Sequence, residues 1–179
     1  MLSATHLVGF GDRRRAADGA TYRFLILSIE EVTGTNNRVR TQDIEWWDGS
    51  SWQPTSKMTS ATAPSPQEVA VDHAINGGNV GWNAYAGNSN EWVPNANASG
   101  STLSPAPYIT LDLGSGNEIN PTKVRITPGA NAPQAFTCYG SNDTTNALSS
   151  PSTATKTQLH QETGLSSGWT SGTAREFTF

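Results

Sequence analysis

The hydrophobic positions of the chain fall into short segments that are separated by polar and glycine-containing turns. Residues 22–31 have a continuous apolar middle, which is typical of a strand that is buried on both faces. Residues 39–47 predict a second strand, and the Asp-Gly-Ser-Ser stretch at 48–51 predicts a hairpin turn before Trp52. No segment shows the sustained 3.6-residue period of a long amphipathic helix.

The second half of the chain alternates apolar and polar residues, as half-buried strands do. Ile109, Leu111 and Leu113 share one face of a predicted strand, because side chains two residues apart point the same way. Residues 68–75 fit either a strand or a short helical turn. Further strands are predicted over residues 123–127, 136–139, 156–161 and 175–179. This spacing of strands and turns predicts an all-β fold, either a β-sandwich or a jelly roll.

Two regions lack this regular pattern. Residues 1–20 contain a short apolar patch, glycines and an arginine run, and they predict an N-terminal arm. Residues 77–107 are rich in Asn, Gly, Ser and Pro, with tryptophan and tyrosine scattered among them. A loop of this length in a compact domain is uncommon and is often functional, so this segment is the first place to look for a binding site.

Composition supports one globular domain and argues against a nucleic-acid ligand. The chain has 179 residues, of which 35% are hydrophobic and 15% charged, so uncharged polar side chains supply much of the surface. Such surfaces are common on extracellular or virion-borne β proteins. The net charge is −4, whereas a nucleic-acid binder normally carries a basic excess. The arginine run at 13–15 therefore predicts a solvated or partner-contacting tail.

The single cysteine and the short apolar runs limit the compartments in which the protein works. Cys138 has no partner for an intrachain disulfide, and its position in a predicted strand favours a buried, inert thiol. The longest apolar run, at 24–27, is far shorter than a membrane span. The arginines follow the first apolar patch instead of preceding it, so no signal peptide is predicted. We expect synthesis in the cytoplasm, no membrane association, and release, if any, within a particle freed by lysis.

Nothing in the sequence predicts an enzyme. His6, His73 and His160 are widely spaced, and the nucleophile-elbow, metalloprotease and P-loop patterns are absent. A catalytic dyad of Asp72 and His73 is also disfavoured, because neighbours in a strand point to opposite faces. The same rule splits Trp46 from Trp47, so one of these indoles is expected outside the core and suggests an interface.

Four pieces of the sequence occur in an order that is typical of one domain family. They are Pro-Tyr-Ile-Thr-Leu-Asp-Leu-Gly at 107–114, Lys-Val-Arg-Ile-Thr at 123–127, Phe-Thr-Cys-Tyr-Gly-Ser-Asn-Asp at 136–143, and Gly-Trp-Thr at 168–170 leading to Arg-Glu-Phe at 175–177. Together they resemble the discoidin, or coagulation-factor C-type, domain, a jelly roll of the galactose-binding-like superfamily. Upstream, Ala-Val-Asp at 70–72 followed by Trp82 is similar to the family's Ala-x-Asp-Gly-Asn segment and its tryptophan. His73 stands where the family has glycine.

The beginning of the chain resembles the bacteriophage variant of this domain. Tyr-Arg-Phe at 22–24, followed by Asp-Ile-Glu-Trp at 43–46, is similar to a variant in which a strand usually found near the domain's end comes first. Leu-Val-Gly-Phe-Gly at 7–11 resembles the start of small phage structural proteins. The resemblance covers residues 21–179 and implies one galactose-binding-domain-like jelly-roll β-sandwich preceded by an extended arm.

The resemblance also implies a structural calcium ion. Many bacterial members hold Ca²⁺ beside the Ala-x-Asp segment and the acidic strand, which makes Asp72 the expected carboxylate ligand and Asp43 or Glu45 a second. Loop carbonyls near Asn76 and Gly78 would complete the shell. The alternative is that Asp72 only caps a turn of backbone, and the sequence favours neither. Asp112 is expected to be a structural hydrogen-bond acceptor.

Ligands of this family bind loops at one end of the sandwich, which implies a sugar site in residues 77–107. The candidate residues are an aromatic set with a neighbouring amide, namely Trp82, Asn83, Tyr85 and Trp92. Trp82 has the alternative role of plugging the core edge, as the family tryptophan does. Trp92 is the candidate expected to be exposed. The long segment also has the alternative of packing on a neighbouring subunit.

Together these features predict a non-catalytic binding module of a bacteriophage virion. It would lie on a tail fibre, baseplate or capsid surface and recognise a carbohydrate of the host surface. Its expected partners are other virion proteins and further copies of itself, since multivalency strengthens weak single-site binding. The alternative is a purely structural capsid-decoration or tail-assembly protein that contacts only other virion proteins.

Overall fold

The computed structural model describes residues 19–33, 38–72, 80–94, 97–99, 101–165 and 167–179. In these residues the chain is all-β and forms two antiparallel sheets, in the manner of a β-sandwich. The strands are β1 Phe24–Val32, β2 Thr41–Trp47, β3 Trp52–Gln53, β4 Glu68–Val71, β5 Asn97–Ser99, β6 Thr102–Ser104, β7 Tyr108–Asp112, β8 Lys123–Pro128, β9 Pro133–Ser141, β10 Thr157–Glu162 and β11 Arg175–Thr178. One 3₁₀ helix spans Gly81–Tyr85. None of the helical structure in the described ranges is long and apolar enough to cross a bilayer.

The two sheets differ in size, and strands distant in sequence pair in both. The larger sheet runs β10-β9-β1, and the other edge of β1 pairs with both β7 and β6. β4 extends the sheet beyond β7, and β5 extends it beyond β6. The smaller sheet has the order β11-β8-β2-β3, in which β2 and β3 form the predicted hairpin.

β1 is buried on both faces, as its continuous apolar run predicts. Leu25, Leu27 and Ile29 point into the main core between the sheets. Phe24 and Ile26 point to the opposite face, where they form a second cluster with two alanines of the segment that follows β9. The apolar run is unbroken because each face of this strand packs against its own cluster of apolar side chains.

Both sheets contribute side chains to the main core. β2 supplies Ile44 and Trp46, β8 supplies Val124, and β9 supplies Cys138, all with no exposed surface. Burial raises the pKa of the Cys138 thiol well above its ordinary value, which disfavours the nucleophilic thiolate. The prediction of a buried cysteine is confirmed.

The segment 77–107 is more ordered than its composition predicts. It contains the 3₁₀ helix and the β5–β6 hairpin, and β6 joins the larger sheet where Thr102 pairs with Glu31. The three-residue strands β5 and β6 carry little sequence signal of β structure, and they form because β5 pairs with β6 and β6 pairs with β1. Of residues 68–75, Glu68–Val71 form a strand, in which Val69 and Val71 pair with β7, and residues 73–75 lie outside the described residues.

A bidentate ion pair joins the start of β1 to the end of β7. Arg23 donates from Nε and Nη2 to the two carboxylate oxygens of Asp112, each at 2.7 Å. The Gly114 N–H also donates to Asp112 Oδ1 at 2.7 Å. Asp112 is thus a structural acceptor, as predicted. The N-terminal arm over residues 1–18 lies outside the described residues.

Candidate functional site

The outer face of the smaller sheet carries two tryptophans that the core does not use. Trp46 has no exposed surface, whereas Trp47 points the opposite way, so the predicted split of this pair is confirmed. Trp47 pairs across the strands with Trp52 on one side and Lys123 on the other, and Lys123 pairs with Thr178. We call this line of side chains, Trp52, Trp47, Lys123 and Thr178, the tryptophan row.

A tight hairpin holds the two tryptophans side by side. Asp48 accepts the backbone N–H groups of Ser50 and Ser51 at 2.7 Å each, and the Gln53 amide donates to its other oxygen at 2.8 Å. Partial burial raises the pKa of Asp48, but the hydrogen bonds from Ser51, Gln53 and Ser50 outweigh it and hold that pKa well below its usual range. Gly49 has φ of +102°, which suits glycine at this turn. The carboxylate therefore fixes the register in which Trp52 faces Trp47.

The two indoles form one partly exposed aromatic surface. Their ring centroids lie 5.2 Å apart with an interplanar angle of 57°. Neither belongs to the buried hydrophobic clusters. The Lys123 ammonium lies 5.9 Å from the Trp47 centroid, and the Arg125 guanidinium carbon lies 4.3 Å from the Trp52 centroid. Cations thus border the aromatic surface at distances at which they interact with a ring face.

A row of charged side chains, Glu45, Arg125 and Glu176, runs beside the tryptophan row on the same face. Arg125 Nε donates to Glu45 Oε2 at 2.6 Å, and Lys57 Nζ donates to Glu45 Oε1 at 2.7 Å. Lys57 Nζ also donates to Asp43 Oδ2 at 2.7 Å. Each of these cations therefore has a carboxylate partner, and the three carboxylates Asp43, Glu45 and Glu176 exceed the two cations by one negative charge.

Asp43 is a titratable group of this face whose pKa is raised. Burial raises its pKa to about 6, although the hydrogen bond and charge of Lys57 oppose the shift. Its second oxygen, Oδ1, is buried and accepts no hydrogen bond from the described residues. Desolvation of a half-satisfied carboxylate is the physical cause of the shift.

Stability should therefore respond to the ionisation of Asp43. Its pKa is higher in the folded than in the unfolded chain, so its favourable contribution is complete below about pH 4 and is lost as the pH rises through about 6. Relative to Asp43→Asn, the wild-type free energy of unfolding should fall by about 1–3 kcal/mol between these limits. Urea unfolding of both proteins at several pH values measures the difference. Parallel profiles, or a difference of opposite sign, would refute this role of Asp43.

The aromatic set predicted within 77–107 is mostly buried. Trp92 and Tyr85 have no exposed surface, and Asn83 is 4% exposed. The expectation of an exposed Trp92 is wrong, because its backbone exchanges two hydrogen bonds with Thr41 at the edge of the smaller sheet and its indole enters the core. Trp82 is partly buried and packs against the core edge, in agreement with its alternative role. The structure does not bring these four side chains together in an open cleft.

The two predicted calcium ligands lie on different sheets. Asp72 follows β4 of the larger sheet and accepts the Tyr108 N–H at 3.0 Å, whereas Asp43 lies on β2 and bonds to Lys57. In the part of the chain that the structure describes, no three His, Cys, Asp or Glu side chains are grouped as a metal site would require. His73, Asn76 and Gly78 lie outside the described residues. The calcium ion stays a prediction.

A groove opens near the hairpin end of the smaller sheet. It has a volume of about 340 Å³ and is lined by Gln53 of β3 together with residues that follow β7, among them Asn117 and Glu118. Gln53 pairs with the buried Trp46, so its side chain points to the face opposite Trp52 and does not belong to the aromatic surface.

Sequence reasoning missed Lys123 and Arg125 as members of a site. The alternation of the Lys-Val-Arg-Ile segment places both cations on the face opposite Val124, which was visible in the sequence. What was not visible is that β8 pairs with β2 in the register that sets Lys123 beside Trp47. Comparisons of the chain with protein-family models, with curated proteins and with solved structures give no match.

Proposed function

We propose that the protein is a non-catalytic carbohydrate-binding module whose ligand rests on the tryptophan row. The observation that carries the proposal is the pair of partly exposed indoles, Trp47 and Trp52, on a strand face that is otherwise polar. The apolar C–H face of a pyranose packs on an aromatic ring, and amphipathic tryptophans outside the core are enriched at binding surfaces.

Polar groups for the sugar hydroxyls surround the two rings. Lys123 and Arg125 offer N–H donors beside the indoles. The surface is shallow, so a single site is expected to bind weakly. Several copies on one particle would convert weak binding into firm attachment to a glycan-coated surface.

The setting that we propose for this module is a bacteriophage virion, on a tail fibre, baseplate or capsid. Support comes from the order of the discoidin-like sequence pieces, from the phage-like beginning of the chain and from the low content of charged residues. We also propose that the two sheets form a jelly roll of the galactose-binding-like kind. In that setting the N-terminal arm docks on neighbouring virion proteins or on further copies of this chain.

Removal of either indole should abolish most of the binding. On an array of bacterial surface glycans presented multivalently, Trp47→Ala and Trp52→Ala should each weaken binding roughly ten- to thirtyfold, as loss of a central aromatic anchor does. Trp52→Phe, which keeps a ring, should retain part of the affinity. Trp82→Phe, at the core edge outside the row, is the matched control and should bind like the wild type.

Two outcomes would overturn the proposal. One is that the folded protein binds no glycan on the array, which would move the assignment to a structural virion protein that contacts only other proteins. The other is specific glycan binding that survives both alanine substitutions, which would place the sugar site elsewhere on the molecule.

A further inference from the structure

We infer that the ligand of the tryptophan row is an acidic glycan whose carboxylate pairs with Lys123. This inference rests on the proposed function and adds the chemical class of the sugar. It starts from the charges on the outer face of the smaller sheet, where one cation differs from its neighbours.

Lys123 differs from Lys57 and Arg125, the other cations of this outer face, in having no carboxylate partner among the described residues. Arg175 of β11 has none either, but it pairs with the core-facing Ile126 and so lies on the opposite face. Arg23, Arg40, Lys57 and Arg125 each have a carboxylate oxygen within 2.9 Å. The cross-strand neighbours of Lys123 are Trp47 and Thr178, neither of which is charged. Its interaction with protein side chains in this region is the cation–π contact with Trp47.

The nearest acidic positions on this face are already occupied. Glu45 and Glu176 lie one position further along their strands, and both flank Arg125, which holds Glu45 through Nε at 2.6 Å. Lys57 takes the other oxygen of Glu45 and an oxygen of Asp43. Glu45 is therefore held by two cations, Glu176 lies 3.9 Å from Arg125 Nη1, and Lys123 is left beside a partly exposed ring with no carboxylate of the described residues within 4 Å.

An acidic pyranose matches this arrangement. When its apolar face packs on the tryptophans, a ring carboxylate projects from the edge of the sugar and can reach the ammonium, which lies 5.9 Å from the Trp47 ring centroid. The chain as a whole carries a net charge of −4, so attraction of an anion has to come from such a local positive site. A neutral glycan would accept a hydrogen bond from Lys123 but would leave it without a counter-charge.

The test uses immobilised acidic capsular polysaccharides of bacteria, each next to its carboxyl-reduced form, which keeps the sugar rings but removes the charge. The wild type should bind the acidic form of its ligand about two- to fivefold more tightly than the reduced form, which is the gain from one exposed ion pair. Raising the salt from about 0.1 M to 1 M shortens the screening length from ~10 Å to ~3 Å and should shrink that preference.

Three variants separate the ion pair from a general effect of charge. Lys123→Gln should remove the preference for the acidic form, and Lys123→Arg should keep most of it. Arg38→Gln makes the same change in net charge at an exposed residue outside the row and should leave the preference intact.

The possible failures are distinguishable. Equal binding of the acidic and reduced forms overturns the acidic-ligand inference, and so does a preference for the acidic form that survives Lys123→Gln. In either case the proposed function still holds if glycan binding depends on Trp47 and Trp52. No binding to any form, or binding that both alanine variants retain, overturns the proposed function and this inference with it.

Discussion

Replacing Trp92 with alanine is expected to lower the free energy of unfolding by about 3–5 kcal/mol. The indole has no exposed surface and lies in the main core with Ile44 and Trp46. Deleting it removes a large apolar side chain and leaves a cavity that the close-packed surroundings can fill only in part. Equilibrium unfolding in urea, followed by circular dichroism, measures the loss.

Trp47→Ala is the comparison that gives this result its meaning. Trp47 lies on the outer face and is partly exposed, so its removal should cost about 1 kcal/mol or less. A Trp92→Ala protein that keeps nearly full stability but no longer binds glycan would contradict the structure here. It would restore Trp92 to the ligand-contacting role that its position in an Asn- and Gly-rich segment predicts.

Asp112→Ala should destabilise the fold by about 2–4 kcal/mol, because it leaves the Arg23 guanidinium without its bidentate partner. The Asp112 side chain is 3% exposed and that of Arg23 is 28% exposed. The partial exposure of Arg23 allows some rehydration, which keeps the expected loss below that of a fully buried pair. The substitution also removes the acceptor of the Gly114 N–H, which is buried.

Asp112→Asn separates the loss of the ion pair from the loss of the acceptor for the Gly114 N–H. It keeps an oxygen for the Gly114 N–H and loses the charge, so its cost should lie between those of the wild type and Asp112→Ala. Thermal and urea unfolding of the three proteins give the order. A loss below about 1 kcal/mol for Asp112→Ala would show that the ion pair does not stabilise the junction of β1 and β7.

The strands and the face that each one buries were largely predictable, because these features depend on local periodicity. The apolar run in residues 22–31 requires cover on both sides, and the structure provides it through the main core and the segment after β9. The hairpin before Trp52 follows from the Asp-Gly turn, whose geometry is encoded in four neighbouring residues. The outward position of Trp47 follows from its adjacency to Trp46.

The site itself was not predictable, because it depends on which strands pair and in what register. Lys123 reaches Trp47 only through the pairing of β8 with β2, strands that lie far apart in sequence. The prediction that Trp92 is exposed was wrong for the same reason. Its segment has the composition of a loop, and the two hydrogen bonds that fasten it to Thr41 are tertiary contacts with no local signal.

The six tryptophans allow the central claim to be tested by one measurement, because each indole N–H gives its own NMR signal. The measurement is a titration of the ¹⁵N-labelled protein with an oligosaccharide of the glycan that the array selects. The account predicts that the Trp47 and Trp52 signals shift in a saturable manner, while those of the buried Trp46 and Trp92 stay in place. Saturable binding that moves the Trp82 signal and leaves Trp47 and Trp52 unchanged would contradict it.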